Sequence, residues 1–326
     1  MRTVLSIART FGIKNPIGRD LLEKNAFLLK FAPPDSYPLD EKKIIDLIEK
    51  VNPDALIIGA NPITPSVLDA GTKLKIVAMH GVGLDHVDVN YATKKGIAVT
   101  FTPDANTIAV AELAVGLILI ISRKLSRASE SIRAGKWETI LGYELYGKNL
   151  GIIGTGKIGK AVIKRLSGFY MNILAHDLAR DPELENAGVK YTNMEEIFKE
   201  SDYLSIHLPL TSETSKLIGN RYLKLMKNTA FIINCSRGAV IDEEALYHVL
   251  QSGHIAGAAL DVWVNEPPEG ISKKLIALEN VFPTPHIGAY TLEALYRMGR
   301  DCAKSVIDCL EGRQPVYIVN PEVWND

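Results

Sequence analysis

The sequence predicts an α/β protein of about two domains, each built on a parallel sheet with helices on both faces. The chain has 326 residues, and domains usually have roughly 100–200 residues. Hydrophobic residues make up 47% and charged residues 23%, the balance of an ordinary soluble globular protein. Short apolar runs alternate with segments of helical spacing along almost the whole chain. That order is typical of parallel sheets covered by helices.

The first hundred residues contain four predicted buried strands with helices between them. The apolar runs that predict strands are Thr3–Ala8, Ala55–Gly59, Lys75–Met79 and Ile97–Thr100. Helical spacing predicts helices over Asp40–Val51 and Asp88–Lys95, and Pro53 and Gly96 stand where these helices should end. We interpret these residues as one small α/β domain.

A second series of elements begins after Pro103. Its predicted strands are Asn149–Ile153, Asn172–His176, Tyr203–His207, Ala230–Asn234 and Ile255–Val262. Its predicted helices are Asn106–Ser122, Lys157–Ser167, Asp242–Ser252 and Thr291–Leu310, with an irregular stretch around Trp137–Tyr146. The most apolar run, Ile108–Ile121, is shorter than the ~20 residues that span a bilayer, so it predicts a helix in the core or at a subunit interface.

Charge and cysteine content exclude several classes of function. Lysine and arginine total 37 against 38 acidic residues, a net charge of −1 that argues against a nucleic-acid or membrane partner. Cys235, Cys302 and Cys309 have neither a disulfide nor a zinc-ligand spacing, so we predict no metal site and a reducing environment. No signal peptide is evident at the N-terminus, and we expect a cytoplasmic protein.

A glycine motif predicts a dinucleotide site. Gly154, Gly156 and Gly159 form a G-x-G-x-x-G pattern that follows a predicted strand and opens a predicted helix. The glycines would allow a tight turn, close approach of a pyrophosphate, and close packing of helix on strand. Asp177, at the end of the next strand, would accept hydrogen bonds from the adenosine ribose and repel a 2′-phosphate. We therefore expect NAD rather than NADP, although Arg180 would blur that preference if its loop folded inward.

Three further features would complete a catalytic site. His286 lies in a Pro-His-Ile-Gly-Ala loop after a strand-like pair, where a histidine serves as an acid or base near neutral pH. Arg237 follows an apolar strand, and a guanidinium there holds a carboxylate with two hydrogen bonds. Asp261 begins an Asp-Val-Trp-Val-Asn-Glu-Pro-Pro segment after another strand. From spacing alone, each of these residues is equally well a surface residue.

Taken together, these motifs resemble those of the D-isomer-specific 2-hydroxyacid dehydrogenases. The resemblance covers nearly the whole chain and rests on Gly81–Asp85, Val110–Leu113, Gly154–Gly159, His207–Thr211, Asn234–Gly238 with Asp242 and Glu243, Asp261–Pro268, and Pro285–Ala289. It implies NAD-dependent hydride transfer between a small anionic 2-oxoacid and its D-2-hydroxyacid.

The resemblance also implies a role for each matching residue. Arg237 would bind the substrate carboxylate, His286 would donate the proton to the keto oxygen, and Glu266 would orient His286 and favour its protonated form. Backbone amides of Gly81, Val82 and Gly83 would help to hold the substrate. The cofactor would contact the glycine motif with Lys157 and Ile158, the Asp177 side chain, and further positions at Leu208, Pro209, Cys235, Ser236 and Asp261.

The fold implied by the resemblance is two Rossmann-like doubly wound domains, one inserted into the other. Residues 1–101 and 288–326 would form a flavodoxin-like substrate domain, and residues 102–287 an NAD-binding domain. The resemblance further implies a homodimer that forms through the NAD-binding domain, with Ile108–Ile121 at or near the interface.

Within the family, the chain is most similar to short D-3-phosphoglycerate dehydrogenases. Met79 and Thr139, however, stand where many of these enzymes carry cations. Phosphoglycerate therefore remains a candidate, and glycerate/hydroxypyruvate, glyoxylate or a branched 2-oxoacid fit an uncharged pocket equally well. Lys14, Arg9 or a residue of a partner subunit would be alternative sources of the missing charge. A rival of another class is an NAD-sensing corepressor-like binding protein, since such proteins keep the same Arg–Glu–His set.

Overall fold

The computed structural model describes residues 2–34 and 37–324, which divide into two compact units. The first unit combines Met1–Asn106 with Ala289–Asp326, and the second is Thr107–Gly288. Two parallel sheets, one in each unit, confirm the predicted fold class of two doubly wound α/β domains. The units divide the chain at 106/107 and 288/289, and the domain bounds at 101/102 and 287/288 stay a prediction.

The first unit has a five-stranded parallel sheet in the order β2-β1-β3-β4-β5. Its strands are β1 (Thr3–Ser6), β2 (Leu28–Phe31), β3 (Ala55–Ile58), β4 (Ile76–Met79) and β5 (Ala98–Thr100). Its helices are α1 (Ile17–Lys24), α2 (Glu41–Val51), α3 (Pro65–Ala70), α4 (Val89–Lys94) and α13 (Leu292–Leu310). This strand order is the flavodoxin-like one that the family resemblance implied.

Helices cover both faces of the first sheet, which explains its continuous apolar strands. Every residue of β3 and β4 is buried, the pattern of a parallel strand with no solvent-facing side. The C-terminal helix α13 places Cys302, Ala303 and Val306 in a cluster with strand residues of this sheet. The C-terminal stretch therefore packs with the first hundred residues, although some 180 residues of the second unit intervene.

The second unit has a seven-stranded parallel sheet in the order β12-β11-β10-β9-β6-β7-β8. Its strands are β6 (Asn149–Ile153), β7 (Asn172–His176), β8 (Lys190–Tyr191), β9 (Tyr203–Ile206), β10 (Phe231–Asn234), β11 (Gly257–Leu260) and β12 (Val281–Pro283). Its helices are α5 (Thr107–Arg123), α6 (Leu125–Arg133), α7 (Lys157–Leu166), α8 (Pro182–Asn186), α9 (Met194–Glu200), α10 (Asn220–Leu223), α11 (Glu243–Gln251) and α12 (Ile271–Ile276).

The order of the second sheet reverses between β6 and β9. From β6 the chain builds outward to β7 and β8, and then returns to β9 on the other side of β6. Loops at the carboxyl ends of β6 and β9 diverge at such a reversal, and ligands of doubly wound sheets bind there. Among the described residues, no helix is long and apolar enough to cross a membrane.

Candidate active site and cofactor site

The glycine turn between β6 and α7 has the geometry that a pyrophosphate requires. Gly154 has a φ of +93°, and a Cβ at this position would lie 2.6 Å from the carbonyl oxygen of His207. A Cβ at Gly159 would collide with the carbonyl oxygen of Gly154, so helix and turn pack closely. Apart from its own chain neighbours, no atom of the described residues lies within 4 Å of the Cβ position at Gly156, which leaves the surface of the turn open. The residues present therefore fit a dinucleotide at the start of α7.

Asp177 is held beside this turn by hydrogen bonds to one of its oxygens. Asp177 Oδ2 accepts from the backbone N–H of Thr155 at 2.6 Å and from the Thr155 hydroxyl at 3.0 Å. Burial raises the pKa of Asp177, but these bonds and those from the backbone of Ala179 and Leu178 outweigh it and lower the pKa overall. The carboxylate is therefore ionised at neutral pH, as an acceptor for ribose hydroxyls must be.

Arg180 lies on the same loop and lines a cavity of about 420 Å³ together with Asp177. Its guanidinium pairs with Glu185 at 3.6 Å, and its side chain is largely exposed. In this arrangement the positive charge of Arg180 is directed to an exposed carboxylate and does not neutralise Asp177.

The other predicted cofactor residues lie at the ends of neighbouring strands. Leu208 and Pro209 follow β9, and the Leu208 side chain comes within 3.3 Å of the Cβ position at Gly154. Cys235 and Ser236 follow β10, and Ser236 donates its hydroxyl to Asn234 at 2.8 Å. Burial raises the pKa of the Cys235 thiol well above its usual value, so this cysteine is protonated and is no nucleophile.

His286 and Glu266 form the central pair of the candidate catalytic site. The Nδ1–H of His286 donates to Glu266 Oε2 at 2.6 Å, while Glu266 Oε1 accepts from the backbone N–H of Trp263 at 3.1 Å. Both carboxylate oxygens are thus engaged, and the imidazole has a fixed tautomer that presents Nε2 away from Glu266. The side chains of His286 and Glu266 are 40% and 32% exposed, so a substrate would have access to the ring.

Charges around His286 favour its protonated form. Burial lowers the pKa of His286, but the hydrogen bond and charge of Glu266, helped by the charge of Asp261, raise the pKa overall. The positive charge of Arg237 opposes this rise, which also shows that Arg237 lies near the ring. An imidazolium beside a guanidinium can hold an anionic 2-oxoacid and supply a proton to its keto oxygen.

The loop that carries Arg237 is fixed by backbone packing. Asn234 donates from Nδ2 to the carbonyl of Arg237 at 2.9 Å and accepts at Oδ1 from the backbone N–H of Ser236 at 3.0 Å. A Cβ at Gly238 would collide with the backbone of Trp263. Glycine at 238 therefore lets the loop after β10 lie against the loop after β11, which brings Arg237 toward Glu266.

Asp261 is completely buried and holds the histidine loop. Its Oδ1 accepts from the hydroxyl of Thr284 at 2.6 Å and from Ile287 N–H at 2.9 Å, and its Oδ2 accepts from Gly288 N–H at 2.8 Å. The backbone N–H of His286, which has a φ of +53°, also donates to the carbonyl of Asp261. In this structure Asp261 fixes the position of His286, and its predicted contact with the cofactor stays a prediction.

In the first unit, Gly81, Val82 and Gly83 form a loop at the carboxyl end of β4. The carbonyl of Gly81 accepts two bonds from Thr102, from the backbone N–H at 2.8 Å and from the hydroxyl at 2.9 Å. The preceding residue, His80, is buried, and burial lowers its pKa to about 4. His80 is therefore neutral at physiological pH, and Met79 before it is apolar and buried.

A family model identifies the class of enzyme. The NAD-binding domain of the D-isomer specific 2-hydroxyacid dehydrogenases matches residues 115–288, more than half of the chain. The chain belongs to this family. It is an NAD-dependent oxidoreductase that interconverts a small 2-oxoacid and its D-2-hydroxyacid, which confirms the resemblance, the enzyme class and the cofactor inferred from the motifs.

Individual relatives support the same assignment. The hydroxypyruvate reductase of Thermotoga maritima is 44% identical over 272 residues, which cover 82% of this chain and 88% of the relative. The D-3-phosphoglycerate dehydrogenase of Methanocaldococcus jannaschii is 42% identical over 281 residues, 84% of this chain but 53% of that protein. A solved D-lactate dehydrogenase from Aquifex aeolicus, complexed with NAD and lactic acid, has a TM-score of 0.87 at 29% identity and covers 98% of this chain and 99% of the relative.

Sequence reasoning gave no role to three residues that hold the candidate site in place, although Glu243 was among the residues that matched the family. Thr155 stands inside the glycine motif at a variable position, and Tyr191 ends a strand of only two residues. Glu243 is buried and accepts from Val264 N–H at 2.9 Å, which fixes the loop that carries Glu266. The local sequence signal for Glu243 was its position directly after Asp242, the residue that caps α11.

Proposed function

We propose that this enzyme reduces a small unphosphorylated 2-oxoacid of the hydroxypyruvate or glyoxylate class. The observation that carries the proposal is the carboxyl end of β4, where the residues before the Gly81–Gly83 loop are apolar Met79 and neutral His80. A substrate phosphate there would lack charge-assisted hydrogen bonds, each worth roughly 1.5–3 kcal/mol. The hydroxypyruvate reductase among the relatives supports the same substrate class.

In the proposed mechanism each catalytic side chain has one task. NADH, when bound, supplies the hydride to the keto carbon. Arg237 binds the substrate carboxylate and polarises the keto oxygen. The contact of the substrate with the backbone amides of Gly81, Val82 and Gly83 stays a prediction. His286 donates the proton from Nε2 to the developing alkoxide, and Glu266 stabilises the imidazolium that makes this possible. In the direction of oxidation, neutral His286 removes the hydroxyl proton.

The proposed cofactor contacts follow the open side of the glycine turn. Gly156, Lys157 and Ile158 would meet the pyrophosphate with backbone N–H groups at the start of α7, where the helix dipole favours negative charge. Asp177 would accept from the adenosine ribose. The remaining predicted contacts, at the ends of β9, β10 and β11, are Leu208, Pro209, Cys235, Ser236 and Asp261.

We further propose a cytoplasmic homodimer that forms through the second unit. The irregular segment after α6 exposes large apolar side chains, with Trp137 92%, Leu141 78% and Tyr146 72% accessible. Tyr170, which is 73% accessible, lies beside Tyr146 with ring centroids 6.0 Å apart and ring planes tilted by 55°. In the proposed dimer a second copy would cover these exposed apolar side chains. Light scattering after size exclusion should give the mass of a dimer, and Trp137→Asp should shift it toward the monomer.

A second candidate activity is D-3-phosphoglycerate dehydrogenase, and Arg9 favours it. Arg9 is exposed on the loop after β1, at the same edge of the first sheet as the Gly81–Gly83 loop. The next residue, Thr10, has its hydroxyl 3.4 Å from His80 Nδ1, so the two loops are in contact. Arg9 would then supply the cation that Met79 lacks.

The test is NADH oxidation with hydroxypyruvate, glyoxylate, pyruvate, 2-oxoisocaproate and 3-phosphohydroxypyruvate. We expect the highest kcat/KM with hydroxypyruvate or glyoxylate. A preference for 3-phosphohydroxypyruvate would overturn the proposed substrate class in favour of the second candidate. A preference for 2-oxoisocaproate would replace it with a branched 2-oxoacid.

A further inference from the structure

A chain of hydrogen bonds links the backbone of Asp181 to the carboxylate of Asp177. The backbone N–H of Asp181 donates to the Tyr191 hydroxyl at 3.2 Å, Tyr191 donates to the Thr155 hydroxyl at 2.9 Å, and Thr155 donates to Asp177 Oδ2 at 3.0 Å. The side chains of Tyr191 and Thr155 are buried. At low exposure, the loss of one of these bonds is more costly than at the surface.

The chain has a single direction, because each hydroxyl has one proton. Thr155 gives its proton to an ionised carboxylate, which accepts only, so its oxygen accepts from Tyr191. Tyr191 in turn accepts from the backbone of Asp181. Hydrogen bonds that follow one direction polarise one another, so the two hydroxyls strengthen the bond to Asp177 Oδ2. The longer bond from Ala179 N–H, at 3.4 Å, goes to Oδ1, the oxygen that is left for a ligand.

The loop that carries Asp177 is fixed at both ends. Thr155 donates to Asp177 at one end, and Tyr191 accepts from the backbone of Asp181 at the other. Asp181, at the other end, forms an ion pair with Lys160 of α7 and caps α8 by accepting from Glu183 N–H at 2.8 Å. Between the two fixed aspartates, residues 178–180 are exposed. The carboxylate of Asp177 cannot turn away from the turn unless the bond from Thr155 is lost.

We propose that Tyr191 and Thr155 are positioning residues that set the preference of this enzyme for NAD over NADP. They hold Oδ2 of Asp177 against the glycine turn, so that Oδ1 faces the ribose hydroxyls and its charge opposes a 2′-phosphate. This inference rests on the proposed role of Asp177. Nothing in the reaction itself requires the two hydroxyls, because neither touches the reacting atoms in the proposed mechanism.

The experiment compares Tyr191→Phe and Thr155→Val with the parent enzyme. Affinities for NADH and NADPH are measured by calorimetric titration in the absence of substrate, and kcat and KM are measured with each cofactor. We expect NADH affinity to fall about 3- to 10-fold, the change that one lost hydrogen bond of ordinary strength gives. NADPH affinity should stay the same or rise, so the preference for NADH over NADPH should become smaller. The kcat at saturating NADH should change little.

Matched variants separate positioning from simple packing. Thr155→Ser keeps the hydroxyl and should keep the parent ratio of NADH affinity to NADPH affinity. Tyr247→Phe removes a hydroxyl whose bond to Gln251 lies on the surface of the same unit, and it should leave both affinities unchanged. Asp177→Ala gives the ratio expected when the carboxylate is absent.

Each other outcome contradicts a specific statement. Equal losses of NADH and NADPH affinity in both variants would make the hydroxyls merely structural and overturn the inference. An unchanged ratio in both variants would overturn it too, as would failure of both variants to fold, judged by thermal melting. An unchanged ratio in Asp177→Ala would instead overturn the proposed role of Asp177 itself.

Discussion

The two candidate binding regions are built by different means. In the second unit the candidate site residues belong to networks of charges and buried hydrogen bonds, in which Glu266, Asp261 and Asp177 each use at least one oxygen to fix a loop. In the first unit the predicted substrate loop follows a neutral histidine and an apolar methionine. The contrast separates a candidate catalytic region built on placed charges from a predicted substrate loop that follows two uncharged residues, to which the proposed choice among 2-oxoacids is assigned.

The largest effect should follow from removing the proton donor. His286→Ala should lower kcat for hydroxypyruvate reduction about 100-fold or more, the scale on which a general acid contributes. Steady-state kinetics with NADH measures the change. His254→Ala is the control, since its ring bonds to the carbonyl of Lys224 on a loop that carries no proposed site residue, and it should stay within about twofold of the parent. An unchanged rate in His286→Ala would remove this residue from the mechanism.

Breaking the charge network without removing the histidine should have the next largest effect. Glu266→Gln should lower kcat for reduction about 10- to 100-fold, because the imidazolium loses a charge-assisted hydrogen bond. Glu269→Gln, an exposed carboxylate three residues further on, should have no effect.

The pH profile of the Glu266→Gln variant tests the same network. Glu266 raises the pKa of His286, so the reductive rate is present below that pKa and is lost as pH rises through it. Without the carboxylate the folded pKa falls, and the loss should begin at lower pH. Oxidation, which needs neutral His286, should correspondingly persist to lower pH. A descending limb that does not move would show that Glu266 does not control this proton.

The first unit should respond to an added charge. The terminal methyl of Met79 lies 2.7 Å from the Cβ position at Gly81, so a long side chain at 79 reaches the substrate loop. Met79→Arg should raise kcat/KM for 3-phosphohydroxypyruvate about 10-fold relative to hydroxypyruvate, as one charge-assisted contact would. Met79→Leu is the apolar control and should keep the parent ratio. If Met79→Arg folds but keeps the parent ratio of kcat/KM values for the two substrates, residue 79 does not control substrate choice.

Some parts of the fold and of the candidate site were predictable from the sequence, and others were not. Strands Asn149–Ile153 and Asn172–His176 were predicted to the residue, because each is an apolar run bounded by polar or turn residues. The edge strand β2 was missed although three of its four residues are apolar, and the structure shows that its side chains are mostly exposed. The Glu266–His286 bond joins residues that the resemblance had paired, whereas the contact of Tyr191 with Thr155 spans 36 positions and leaves no local pattern.

The smallest effect is expected from replacing Arg9, and this replacement distinguishes the two candidate substrates, hydroxypyruvate and 3-phosphohydroxypyruvate. Arg9 is exposed. Burial raises the pKa of the neighbouring Tyr37, and the positive charge of Arg9 opposes this rise. A solvated guanidinium contributes little to binding an uncharged substrate tail, since exposed charges are screened by water and salt. Arg9→Met should therefore leave kcat/KM for hydroxypyruvate within about twofold of the parent value, the range usual for a surface substitution. Kinetics with 3-phosphohydroxypyruvate provide the contrast, because a loss of 10-fold or more confined to that substrate would place its phosphate at Arg9 and favour the second candidate.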